Sequence, residues 1–193
     1  IHAENERTKV LRNNQPPSFL PDFPPYYEKF NLARKSLSEN VLDKAGELFN
    51  QIDSQIPAIS GMCNGKEFKG FKDTDALLSL FLEALVHERY VWIPFEAIRE
   101  LSIPAPKTLF DLIWITARIT TWGGLTLNCY LPVRYADSSL HEDDRVKLGR
   151  MTDWTHLGGP FSRAAGQHVF QIGEEEISLL EIREVLFHPA QTI

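Results

Sequence analysis

Cysteine is scarce: Cys63 and Cys129 are the only two in 193 residues, and no CxxC spacing occurs. That argues against a disulfide scaffold or a thiolate zinc site, and two reduced thiols suit a reducing compartment, the cytoplasm. Long apolar runs are missing too. No stretch approaches the roughly eighteen residues of a membrane span, so a membrane is not expected, and the residues present at the start show no basic segment followed by an apolar one. Positive charge is in deficit, with 20 Lys and Arg against 26 Asp and Glu, a net charge of −6. Without a basic stripe there is no surface on which phosphates release counterions, and a nucleic-acid partner is not expected. Signatures of cofactor chemistry are also lacking. Gly158-Gly159-Pro160 lacks the surroundings of a Walker loop, Gly65 and Gly70 make no dinucleotide fingerprint, and His87, His156, His168 and His188 show no HExxH spacing.

What the chain does have is an ordinary globular composition, 43% hydrophobic and 24% charged, with its 12 Pro and 12 Phe gathered in particular segments. Residues 1–12 read as the tail of a helix ended by Asn13-Asn14-Gln15-Pro16-Pro17. The first residue is Ile1 rather than Met, and an upstream piece is expected. Five prolines between Pro16 and Pro25 remove backbone donors and fix φ, which predicts an extended connector pinned by Phe19, Leu20 and Phe23. From Tyr26 to Gln55, Phe30, Ala33, Leu37, Val41, Ala45, Leu48, Phe49 and Ile52 recur at helical spacing. A break at Ser38-Glu39-Asn40, with Asn40 as an N-cap, predicts an αα-hairpin. Ala45-x-x-x-Phe49 closed by Pro57 fits the end of a tetratricopeptide unit, and a chance amphipathic pair fits equally.

Beyond Pro57 the period changes. A strand is expected over Glu67 to Phe71, then a helix capped by Asp73-Thr74-Asp75 that carries Leu77, Leu78, Phe81, Leu82 and Leu85, with His87-Glu88 at its end. Tyr90 to Phe95 reads as a strand apolar on both faces. Ile113 to Thr120 and Leu125 to Leu131 alternate about Gly123-Gly124, a hairpin that places Cys129 inward. Strands at Gln167 to Ile172 and Ile177 to Phe187 flank a turn at Gly173-Glu174-Glu175. The expected fold class is α+β: a helical, tetratricopeptide-like segment over 1–57, truncated at its N-terminus, and a largely antiparallel-sheet domain over 58–193.

No constellation compels catalysis. The run His141-Glu142-Asp143-Asp144 is dense in metal ligands, but consecutive side chains do not converge on one ion. Asp73 and Asp75 serve as helix caps before they serve as acid and base. Cys129 reads as a packed, inert thiol. The rival reading is a hydrolase-like site assembled in space from His168 with Asp153 or Cys129.

Several segments together carry a resemblance: Asp73-Thr74-Asp75, Leu82-Glu83-Ala84, Tyr90-Val91-Trp92-Ile93-Pro94-Phe95, Leu109-Phe110-Asp111-Leu112-Ile113-Trp114, Pro132-Val133-Arg134-Tyr135, Leu148-Gly149-Arg150-Met151-Thr152-Asp153-Trp154, and Leu180 to Phe187. In this order they resemble the ImpE family, also called SciE-type or TagJ. Glu88-Arg89 stands where that family often has Gly before Tyr90. The resemblance implies a non-enzymatic accessory protein of bacterial type VI secretion, without a cofactor or metal. Its implied partner is the N-terminal helix of the small contractile-sheath subunit and, through the sheath, the hexameric ATPase that handles it. For such a role the candidate contacts are Trp92, Trp122, Arg134, Tyr135, Arg150 and Trp154. Trp92 and Trp114 read first as core, and Trp122 as the exposed contact. Arg134, Arg150 and Asp153 either pair with one another to order loops or meet the partner directly.

Overall fold

The computed structural model describes residues 2–12 and 15–189; the expected helix stop at Asn13-Asn14 lies outside the described residues. Helix α1 (His2–Arg12) precedes the proline connector, where β1 (Ser18–Phe19) adds in parallel to the edge of a large sheet. The expected hairpin follows as α2 (Tyr27–Ser38) and α3 (Leu42–Asp53). Asn40 does not cap α3. It takes a φ of 58° and donates its amide to the Leu37 carbonyl, ending α2 in the left-handed turn that asparagine tolerates.

The strands are β2 (Ser60–Cys63), β3 (Lys66–Lys69), β4 (Phe71–Asp73), β5 (Phe81–Val86), β6 (Arg89–Pro94), β7 (Ile98–Ser102), β8 (Trp114–Thr121), β9 (Thr126–Pro132), β10 (Thr152–Gly158), β11 (Phe161–Gly166), β12 (Val169–Ile172), β13 (Glu175–Ser178) and β14 (Glu184–Phe187), with one-turn helix α4 (Asp144–Lys147) before β10. Nine form one sheet in the order β1-β6-β5-β9-β8-β7-β14-β2-β3, antiparallel except at β1. A smaller sheet, β13-β12-β4, and the hairpin β10-β11 complete the fold, which is α+β as expected.

Both faces of the central strands are buried. Leu82, Ala84, Val91 and Ile93 join a core with Phe71, Phe170 and Ile172 of the smaller sheet. Phe81, Tyr90 and Trp92 point the other way, into a core shared with Ala3, Val10, Phe30 and Ile52 of the helices. That double burial explains the main correction. The expected helix over Leu77 to Leu85 is a turn followed by β5, because a short run apolar on both sides carries no period that separates helix from strand. Asp73 and Asp75 do cap amides, those of Asp75 and Leu77 at 2.8 Å each, but in a buried loop. His87 and Glu88, expected at a helix end, form the two-residue turn between β5 and β6, with φ of 46° and 68°. The strand expected over Glu67 to Phe71 divides into β3 and β4 at Gly70, whose φ is 91°. The β8-β9 hairpin forms with Cys129 buried, each strand one residue further along than expected, so that Ile113 and Leu125 fall outside the strands and are exposed. Hairpin β10-β11 carries no sequence signal, since most of β10 is exposed and shows no alternation.

Candidate functional site

Glu83 interrupts the apolar run of β5. Strand alternation sends its side chain to the helix face of the sheet, where it is only 2% exposed and needs partners. Arg7 of α1 supplies the first: its Nε lies 3.2 and 3.1 Å from the two carboxylate oxygens and its Nη2 2.6 Å from Oε2. Nη2 also donates to the Arg134 carbonyl at 2.7 Å. Tyr90 donates its hydroxyl to Glu83 at 2.8 Å and accepts the Trp92 indole N–H at 2.6 Å.

On the far side stands His168, just before β12. Its Nε2 is 3.3 Å from Glu83 and its Nδ1 2.9 Å from Asp73, so the ring bridges two buried carboxylates. Asp73 also accepts the Tyr135 hydroxyl at 2.7 Å, and the Tyr135 ring lies on His168 with centroids 3.9 Å apart. Thr74 Oγ1 is 3.2 Å from the Tyr135 hydroxyl and accepts the Trp154 indole N–H at 3.1 Å. A continuous polar chain therefore runs from α1 through the molecule to the exposed ring of Trp154.

The electrostatics follow from this enclosure. Burial works to raise the Glu83 pKa, but the charges of Arg7 and His168 outweigh it and hold the carboxyl down to about 2. Burial disfavours a charged imidazole, yet Asp73 and Glu83 reverse that and raise His168 to about 9. Burial pushes Asp73 up against the pull of His168. Desolvation keeps the Tyr90 and Tyr135 hydroxyls protonated as donors. Arg7 and His168 thus face the carboxyl groups of Asp73 and Glu83 in a buried cluster. Chemically, this arrangement fastens α1, β4, β5 and β12 to one another, because Arg7, Asp73, Glu83 and His168 are all buried and answer one another's charge.

Of the six predicted contacts, the chain of bonds brings together Trp92, Tyr135, Trp154 and the backbone of Arg134. Trp92 and Tyr135 are core residues, 0% and 3% exposed, so neither presents its ring to a partner. Trp154 is 39% exposed and Trp122 41%, on different parts of the surface. Arg134, Arg150 and Asp153 do not pair with one another. Arg134 donates to the Lys147 carbonyl, Asp153 lies 3.1 Å from His141, and Arg150 is exposed. Nor does His168 meet Asp153 or Cys129. The Cys129 thiol lies 3.7 Å from the Ala117 carbonyl within the β8-β9 hairpin, and burial pushes its pKa up to about 12. Arg7 and Glu83 escaped sequence reasoning. The available signal was a single carboxylate inside an apolar run, which demands a buried cation from elsewhere in the chain.

Two open grooves flank this core. One, of about 1020 Å³, lies between α3, β4 and the β10-β11 hairpin and has Trp154 in its wall. The other, of about 950 Å³, crosses the sheet beside α1, over Leu85, Arg118 and Tyr130. Among the described residues no helix is long and apolar enough to cross a membrane.

Residues 65–186 match the model of the ImpE protein family. Over 147 residues the sequence is 35% identical to the type VI secretion system accessory component TagJ of Pseudomonas aeruginosa, covering 76% of this chain and 51% of that protein. The chain thus spans about half the length of the curated relative it matches. A crystal structure of a Vibrio parahaemolyticus protein superposes with a TM-score of 0.84 over 98% of this chain and 71% of that one; at 19% identity the likeness is one of fold. With the family match extending from the turn before β3 into β14, and so through both sheets and the buried chain from Glu83 to Trp154, this protein belongs to the ImpE family.

Proposed function

We propose that this chain is a non-enzymatic accessory of bacterial type VI secretion, acting in the cytoplasm, that binds the N-terminal helix of the small contractile-sheath subunit and so influences how the sheath-handling ATPase acts. The observation that carries the proposal is the 35% identity to an accessory component of that system across 76% of the chain. The site chemistry is compatible with it. The charged side chains of the cluster are buried against one another, whereas the accessible features are grooves with apolar walls, the form in which an amphipathic helix is received. On this reading the α2-α3 pair is the last unit of a tetratricopeptide-like helical region, and Trp122, Arg150 and Trp154 are the accessible members of the contact set.

Titrating the chain with a fluorescent peptide of the sheath subunit's first helix tests the proposal. Saturable binding is expected. Replacing the exposed contact ring, Trp154→Ala or Trp122→Ala, is expected to weaken it about tenfold for whichever tryptophan lies in the interface, a loss of roughly 1.4 kcal/mol typical of an aromatic anchor. Absence of saturation at millimolar peptide would overturn the proposal.

A further inference from the structure

We infer that the groove between α3 and the β10-β11 hairpin seats an amphipathic helix carrying a basic residue beside its apolar stripe, packed across Gly46. This rests on the reading that the chain binds a helix, and it assigns the place and the chemistry of that binding.

The first argument is the wall that α3 presents. Gly46, Phe49, Asn50 and Asp53 face the groove at spacings of three, one and three, one side of a helix. Only Ala45 and Ile52 of α3 are fully buried, while Leu42, Leu48 and Phe49 are half-covered, so its apolar side extends beyond what the molecule itself covers. Gly46 is the second argument. A glycine inside a helix costs about 1 kcal/mol relative to alanine. Here a Cβ would meet nothing within 4 Å, so no described neighbour requires its absence. Close approach of another backbone does require it. The two sides meet where Phe161 packs at 5.2 Å on Phe49 of α3, which gives the groove an aromatic floor, and the Trp154 indole in its lining is tied to Thr74.

Charge selects the occupant. The last turn of α3 holds no basic residue, and Asp53 ends the helix with Lys72, across the groove, opposing its charge. A carboxylate is thus added to the negative end of the helix dipole, which a lysine or arginine from a partner neutralises. Across the groove, Lys72 is the one cation in the lining, set against Asp53, Glu176 and the already engaged Asp73.

The test uses the full chain, the same sheath-helix peptide, and two variants. Gly46→Leu fills the groove while improving helix propensity; it is expected to keep or raise Tm and to weaken binding at least tenfold. Asp53→Lys, at an exposed position, is expected to weaken binding several-fold, and hydrogen exchange in the complex is expected to slow over 42–53 and around Trp154. Wild-type affinity in both variants, or protection over Leu85 and Tyr130 instead, would overturn the placement and leave helix binding standing. No saturable binding by the wild-type chain would overturn both. Self-association that Gly46→Leu abolishes, without peptide binding, would make the occupant a second copy and overturn the inference.

Discussion

His168 is held between two carboxylates that together outweigh its desolvation, and its stability contribution has a definite sign in pH. The folded pKa, about 9, stands above the ordinary 6.5, so this contribution is complete below about 6.5 and disappears as pH rises through 9. Glu83 behaves in the opposite sense. With a folded pKa of about 2 against an ordinary 4.5, it stabilises above 4.5 and loses its contribution as pH falls through 2. The two overlap in a window between about 4.5 and 6.5, where both contributions are full. Urea denaturation at pH 6 and pH 9 is expected to show a loss on the order of 3 kcal/mol at the higher pH, and His168→Gln is expected to flatten that dependence. A pH-independent midpoint in the wild type would refute the assignment of charge to His168. The identity of this residue is visible in the sequence. Its partners are not, because Asp73 and Glu83 lie 95 and 85 positions away: the β4-β12 pairing brings Asp73 to the ring, and β5 brings Glu83 from the other sheet.

Elements whose burial is one-sided were legible, and those buried on both sides or on neither were not. The β8-β9 hairpin alternates and reads as a hairpin; β5 is covered on both faces and, apart from Glu83, apolar, so its run reads equally as helix; β10 is exposed along most of its length and carries no period. The β5-β6 turn makes a testable case. Two residues with positive φ make a type I′ turn, which favours Asn-Gly, whereas His87 and Glu88 pay a steric cost there. The double variant His87→Asn/Glu88→Gly is expected to gain about 1 kcal/mol, a rise in Tm of roughly 3 °C for a chain of this size. A lower Tm would mean that these side chains make contacts worth more than the strain. At the end of β11, Gly166 works differently. Its φ is 101° and a Cβ would come within 2.0 Å of the Met151 carbonyl, so backbone proximity fixes this residue as glycine.

Across the whole molecule, the helices and the large sheet share one apolar core, and the Arg7 to Glu83 pair crosses between them. Removing one partner leaves the other charge buried, so Arg7→Met is expected to cost about 3–5 kcal/mol. Because that core is continuous, the loss is expected in a single cooperative urea transition, with exchange quickening at the Tyr90 amide that Glu6 of α1 accepts at 2.9 Å. Two separate transitions would show that helices and sheet are independent domains, as a boundary near residue 57 implies. The sequence by itself determined the α+β class, the helical pair, the strongest hairpin and the family, because these depend on local periodicity and on the order of short segments. Only the tertiary structure decided that Asp73, Glu83, Arg7 and His168 form one buried cluster, that Trp92 and Tyr135 are core while Trp154 borders a groove, and that Gly46 faces open space. The physical reason is distance along the chain: burial of a charge and the shape of a groove are set by segments far apart in sequence, and no local pattern records them.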